Sequence, residues 1–142
     1  MLVGSYQRSM DSKSRVTLPA GFRKQLGDVV YLIRRTNALH GYSEESYNTW
    51  IESLGLDPRS RNDAELLGLI ASSTAMVELD KAGRLALGKV EESDPGAIAT
   101  LGLEGDVMVV GAFDHFEIRN VEVHASKQVD RAERLEGLLF RD

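Results

Sequence analysis

Lys13 and Arg15 alternate with Ser12 and Ser14, and Arg8, Arg23 and Lys24 flank them. These are the residue types that hold phosphate. Lys and Arg pair with backbone oxygens, and Arg can also read guanine through two parallel hydrogen bonds. Asp11 stands four residues before Arg15. An Asp at the start of a tight turn accepts hydrogen bonds from turn amides or from a guanidinium, and either bond fixes the turn. That structural role is compatible with a functional one, because a fixed turn can present its cations. Arg15 is the first candidate for contact with a base or phosphate, with Lys13 and Arg8 assisting and Arg23 and Lys24 behind them.

The same spacing recurs. MDSKSRVTLP, from Met10, is answered by LDKAGRLALG, from Leu79, so Asp80, Lys81 and Arg84 stand where Asp11, Lys13 and Arg15 stand in broad outline. Each copy leads to a Gly-Asp-Val strand signal, GDVVYLI at Gly27 and GDVMVVG at Gly105. The offset is 69 positions at the Asp and 78 at the Gly-Asp, which implies a nine-residue insertion in the loop-like stretch EESDPGAIAT. A repeat of this kind reads as one supersecondary unit used twice. The two copies differ in charge. Residues 1–35 carry seven basic and two acidic residues, a net +5, whereas residues 75–113 carry three and seven, a net −4. The first turn is therefore expected to meet DNA, and Asp80, Lys81 and Arg84 are expected to be mainly structural.

The elements that must position these turns follow from period and punctuation. Val3–Met10 and Arg15–Leu18 read as strands meeting at a turn, Pro19 ends the second, and AGFRKQL makes a short helical turn before a strand from Val29. Ser43 caps a helix whose Tyr47, Trp50, Ile51 and Leu54 recur at helical spacing. Trp50 thus belongs to packing rather than to base stacking. Leu66, Leu67, Leu69 and Ile70 supply apolar mass to a linker, and Asn120 caps one long helix through Leu139. The expected class is α+β. Two interleaved hairpin repeats would close into one pseudo-twofold β-barrel with external helices, the helices serving as subunit contacts. The expected divisions are a first repeat at 3–48, a helical linker at 49–74, a second repeat at 75–122 and a C-terminal helix at 123–142.

Composition bounds the alternatives. With 142 residues, 42% hydrophobic and 27% charged, the chain suits one soluble domain, and its apolar runs are far too short for a membrane helix. No cysteine is present, so disulfides and thiolate zinc sites are excluded. A cytoplasmic location is the default expectation. GRLALGKV at Gly83 has Val90 where a phosphate-binding loop needs Ser or Thr. His40, His115 and His124 lack metal-ligand spacing, and Asp114–His115 has no recognisable nucleophile. Neither an enzyme, a cofactor nor a small-molecule substrate is expected.

DSKSRVTLP and DKAGRLALG resemble the paired SpoVT-AbrB motifs of the MraZ family, a resemblance that spans nearly the whole chain. It implies a nucleoid-associated transcriptional regulator of the bacterial division and cell-wall gene cluster. It also implies a ring-like homo-oligomer that grips short direct repeats of double-stranded DNA upstream of its own operon. Asp11 and Arg15 match the first motif, Asp80 and Arg84 the second, and Lys13 and Lys81 the basic position inside each turn. Ser14 stands where the family prefers Gly, and Gly88 where it prefers Pro, which affects turn geometry. The alternative is an AbrB-like protein-interaction module of antitoxin type.

Overall fold

The computed structural model describes residues 1–140, so the last two positions of the expected 123–142 helix lie outside the described residues. The first half contains β1 (Ser5–Ser9), β2 (Arg15–Thr17), α1 (Ala20–Leu26), β3 (Val29–Arg35), β4 (Ala38–Tyr42), α2 (Glu44–Ser53) and α3 (Arg61–Ser72). The second contains β5 (Ala75–Glu78), β6 (Arg84–Ala86), α4 (Val90–Ser93), α5 (Ala97–Leu101), β7 (Asp106–Gly111), β8 (Phe116–Asn120), α6 (Val121–Ser126) and α7 (Gln128–Leu139). The class is α+β with antiparallel pairing throughout.

Six strands form one sheet in the order β1-β7-β8-β4-β3-β5, and β2 pairs with β6 in a separate ribbon. Exchanging the halves (β1 for β5, β3 for β7, β4 for β8) returns the same order reversed. Each outer strand therefore pairs with the other half, β1 with β7 and β5 with β3. The local axis of this exchange passes between His40 and Glu117, which face each other across β4 and β8, and between Val16 and Leu85 in the ribbon. The expected closed barrel is not formed. The outermost strands of the large sheet, β1 and β5, do not pair with each other. At the Asp11 and Asp80 turns the chain leaves them, and the three-residue β2 and β6 satisfy each other instead.

Register corrects the length of the insertion. Tyr31↔Tyr42 in β3–β4 matches Met108↔Arg119 in β7–β8, an offset of 77 rather than 78. Set against 69 at the turns, the insertion is eight residues, not nine. Val30 is thus equivalent to Val107, and both are fully buried. Nor is the inserted stretch a loop. It forms α4 and α5, which bury Val90, Ala97 and Leu101. The Glu91 carboxylate accepts hydrogen bonds from the Gly96 and Ile98 amides at 2.5 and 3.1 Å, satisfying donors at the start of α5.

The core lies between sheet and ribbon. Val16, Leu85 and Leu87 enter from one side and Val30, Leu32, Leu39, Val107, Val109, Phe116 and Ile118 from the other, all shielded from solvent. Each such side chain stabilises the fold by about 1.5–3 kcal/mol relative to exposure. Phe116 fits because Gly41 faces it: a Cβ on Gly41 would sit 2.2 Å from the ring.

Ser43 caps α2, its hydroxyl accepting from the Ser46 amide, and Asn120 caps α6 through Val123. The single long helix expected after Asn120 is broken. Lys127 adopts φ −100°, ψ 3°, outside the helical range, and the Ser126 hydroxyl donates back to the Val123 carbonyl at 2.8 Å. Along α2, Tyr47 and Trp50 pack on Tyr31 and Tyr42 as their spacing predicts, whereas Leu54 stays exposed. No helix among the described residues is long and apolar enough to cross a membrane.

Candidate nucleic-acid interface

The two Asp-x-x-x-Arg segments build the same turn. Asp11 Oδ1 accepts from the Lys13 and Arg15 amides, both at 2.9 Å, and Oδ2 from Arg15 Nε at 2.7 Å. Asp80 Oδ1 accepts from the Ala82 and Arg84 amides at 2.9 Å and Oδ2 from Arg84 Nε at 2.8 Å. Ser14 holds φ +57° where Gly83 holds +76°, so the first turn keeps the left-handed conformation without the usual glycine. Both carboxyls are pulled below the ordinary carboxylate value. The amide of the fourth residue is the main cause in each, followed by that residue's guanidinium and the other turn amide, against some desolvation.

Sequence separation hides how close the turns are. The ribbon register, Arg15↔Ala86 and Thr17↔Arg84, sets them side by side, and Arg84 Nη1 lies 3.9 Å from Asp11 Oδ2. Leu18 N donates to Gly83 O and Leu87 N to Ser14 O, tying each turn to the strand that leaves the other. Both arginines engage their own Asp through Nε, so the bond aims the side chain while leaving terminal amines for a ligand. Lys13 and Lys81 are exposed at the tips.

The other candidate cations divide. Arg8 sits on β1 with its guanidinium 5.3 Å above the Tyr6 ring, its Nη1 donating to the Gln7 carbonyl. Arg23 serves the second turn: its Nη1 donates to the Ala82 carbonyl at 3.2 Å, and its stem lies where a Cβ on Gly83 would be. Lys24 lines a shallow depression with Ser43, Glu44, Glu45 and Asn48 at the start of α2. The structure thus brings Lys13, Arg15, Lys81, Arg84 and Arg23 together and leaves Lys24 elsewhere.

A second cluster, on the sheet face away from the core, was not legible from spacing. Trp50, Tyr42, His115 and His40 form a ladder of stacked rings with successive centroids 5.3, 5.1 and 4.9 Å apart. His115 Nδ1 lies 2.7 Å from Asp114 Oδ1, and its Nε2 lies 3.3 Å from Glu117 Oε2. Burial is the largest influence on His115 and depresses it, yet the Glu117 and Asp114 carboxylates together raise its pKa. His40, more desolvated, is pushed down to about 4, while Glu117 is drawn to about 2, chiefly by its hydrogen bond to His115. Donor atoms of His40, His115 and Glu117 lie within 4.8 Å of one another. The imidazoles are within 13° of parallel, so an ion in the plane of one ring lies outside the plane of the other. This arrangement suits stacking better than ligation.

Fold and turns together define an α+β protein of two interleaved, pseudo-equivalent halves with a cation-bearing pole at their ribbon. Residues 1–69 match the family described as "MraZ protein, putative antitoxin-like". A protein named transcriptional regulator MraZ from Ligilactobacillus salivarius is 32% identical over 121 residues, covering 83% of this chain and 80% of its own. Another of that name, from Limosilactobacillus fermentum, is 32% identical over 130 residues, covering 90% and 87%. A third, from Caldicellulosiruptor saccharolyticus, is 29% identical over 140 residues, covering 97% and 94%. The chain belongs to the MraZ family.

Proposed function

We propose that the protein is a sequence-specific DNA-binding transcriptional regulator that contacts DNA through the paired turns. The observation that carries this reading is the placement of two Asp-oriented arginines beside each other at the β2–β6 ribbon, with Lys13 and Lys81 exposed at the tips. Such a pair offers two forks for phosphate or guanine from one rigid element. Arg15 and Lys13 carry the contact, Arg8 assists, and Arg23 contributes by holding the second turn. Residues 3–48 and 75–122 are read as AbrB-like repeats, with the 49–74 linker and the 123–142 segment outside them. The targets are short direct repeats upstream of the protein's own operon in the bacterial division and cell-wall gene cluster. The protein acts in the cytoplasm at the nucleoid, as a ring-like oligomer. The apolar faces left open on α3, at Leu66 and Leu69, and on α7, at Leu135, Leu138 and Leu139, support subunit contacts. Repetition on adjacent boxes would turn weak single contacts into useful avidity.

Fluorescence anisotropy on the chain's own upstream DNA, against a scrambled duplex and across a salt series, tests this reading. Preferential, salt-sensitive binding is expected, and Arg15→Ala should weaken it by about 1–3 kcal/mol per engaged box without lowering Tm in proportion. Equal, weak binding to both duplexes would overturn the reading in favour of the antitoxin-type interaction module that the family description also names.

A further inference from the structure

The offset of 77 that superposes the two sheet halves also pairs the helices that follow them. Ser43 and Asn120, the two N-caps, are equivalent by this offset, as are Tyr42 and Arg119, Tyr47 and His124, and Trp50 and Lys127. In the first half these positions are filled. Tyr42 stacks on Trp50 and meets Tyr47 edge-on, closing the gap between α2 and the sheet. In the second half the same positions carry Arg, His and Lys, and a cleft of about 460 Å³ lies between them, α7 and the β3–β4 turn. That volume falls within the usual range of about 300–1,000 Å³ for small-molecule sites.

The cleft is strongly basic. Arg35 reaches it from the β3–β4 turn, Arg119 from β8, and Lys127, Arg131 and Arg134 from the α6–α7 break and α7. Its two carboxylates are already engaged. Glu117 Oε1 accepts two bonds from Arg119 at 2.9 and 2.7 Å, and Asp130 lies 3.9 Å from Arg134. Arg35, Lys127 and Arg131 make no ion pair with a carboxylate among the described residues. Arg35 is instead held in place by the Tyr42 hydroxyl and by the Trp50 ring, 4.7 Å from its guanidinium carbon.

His124 lies at the floor, 5% exposed. Arg131 Nη1 is 3.2 and 3.0 Å from its two ring nitrogens, and Arg119 Nη1 is 3.2 Å from Nδ1. A neutral imidazole has one acceptor nitrogen, so it can satisfy only one of these guanidiniums at a time. Burial and the two arginine charges lower the His124 pKa, which favours the uncharged imidazole. Like charges gathered around one buried acceptor are costly without an anion, and Arg forks match the tetrahedral oxygens of phosphate better than a point charge does.

We propose that this cleft binds a small molecule bearing phosphate groups, gripped by Arg131, Lys127 and Arg35 over the His124 floor. The site is separate from the turns and independent of the DNA-binding reading. The break at Lys127 supports it: a straight helix would carry α7 on along the α6 axis, whereas the break is what brings Arg131 to His124.

The test is calorimetric titration of the full-length protein with inorganic pyrophosphate at constant ionic strength, with citrate as a carboxylate probe of comparable charge. Saturable pyrophosphate binding is expected, weakened at least tenfold by Arg131→Ala and by Lys127→Trp. The latter installs the residue of the equivalent first-half position at an exposed site, so it keeps the test intact if Arg131→Ala does not fold. Arg15→Ala, which strips the first turn, should leave pyrophosphate affinity unchanged. Absence of saturable heat overturns the proposal. So does citrate binding as tight as pyrophosphate, or a loss confined to Arg15→Ala, which would place the anion on the turns.

Discussion

The two halves share a strand order and a turn and differ in what they do with them. Both cap a helix at the same place, Ser43 and Asn120, and both form an Asp-anchored turn with identical hydrogen bonds. Yet the first half packs Tyr31, Tyr42, Tyr47 and Trp50 behind its turn, while the second sets Arg119, His124 and Lys127 at the corresponding helix. Symmetry in the main chain is thus compatible with one half serving stability and the other polarity. Side chains, not topology, separate the roles.

The halves diverge most beside the axis itself. Phe116 and Leu39 are equivalent, but only Phe116 lies over a glycine. Phe116→Ala should cost about 3–5 kcal/mol and leave the Gly41 gap unfilled, as read by chemical denaturation. Trp50→Ala should cost about 1–3 kcal/mol through lost burial and ring contacts. The equivalent Lys127→Ala should change stability by less than about 0.5 kcal/mol. Equal costs at the two positions would show that the second helix is packed like the first.

Proton linkage sharpens the contrast between His40 and Glu117, equivalent residues of opposite chemistry. The fold favours neutral His40. The unfolded chain therefore takes up the proton first as pH falls below 6.5, and stability is lost until the folded His40 titrates near about 4. Glu117, held near about 2, contributes stability present above its ordinary value of 4.5 and lost only as pH falls toward 2. Tm measured from pH 7 to 4 should fall in the wild type and fall less in His40→Gln. The turns offer a contrast of opposite signs. Ser14→Gly relieves a left-handed serine and should stabilise by less than about 1 kcal/mol, whereas Gly83→Ala should destabilise, because its Cβ would meet the Arg23 stem.

What the sequence made legible was local. Asp11 to Arg15 and Asp80 to Arg84 have a spacing whose hydrogen bonds stay within five residues, and both N-caps bond within three. Register was not legible, because Gly27-Asp28 and Gly105-Asp106 match as letters while burial aligns Val30 with Val107. The helices α4 and α5 were missed because Asp94-Pro95-Gly96 reads as a break, and it is one, but only between two short helices. Lys24 lay beside Arg23 in sequence and apart from it in space, since successive helical residues point about 100° apart. The ring ladder and the cleft depend on pairings such as His40 with Glu117, made across strands far apart in the chain.

The exchange of outer strands also sets a timetable for synthesis. Ser5 pairs with Val110, so β1 has no partner until about a hundred further residues have left the ribosome, and the β5 position beside β3 stays vacant until the linker is through. Until then the nascent first half presents Leu32, Leu39 and Val16 without their lids. Each half thus depends on the other for an outer strand, and exposed apolar surface of this kind is what draws nascent chains into chaperone contact or strand exchange.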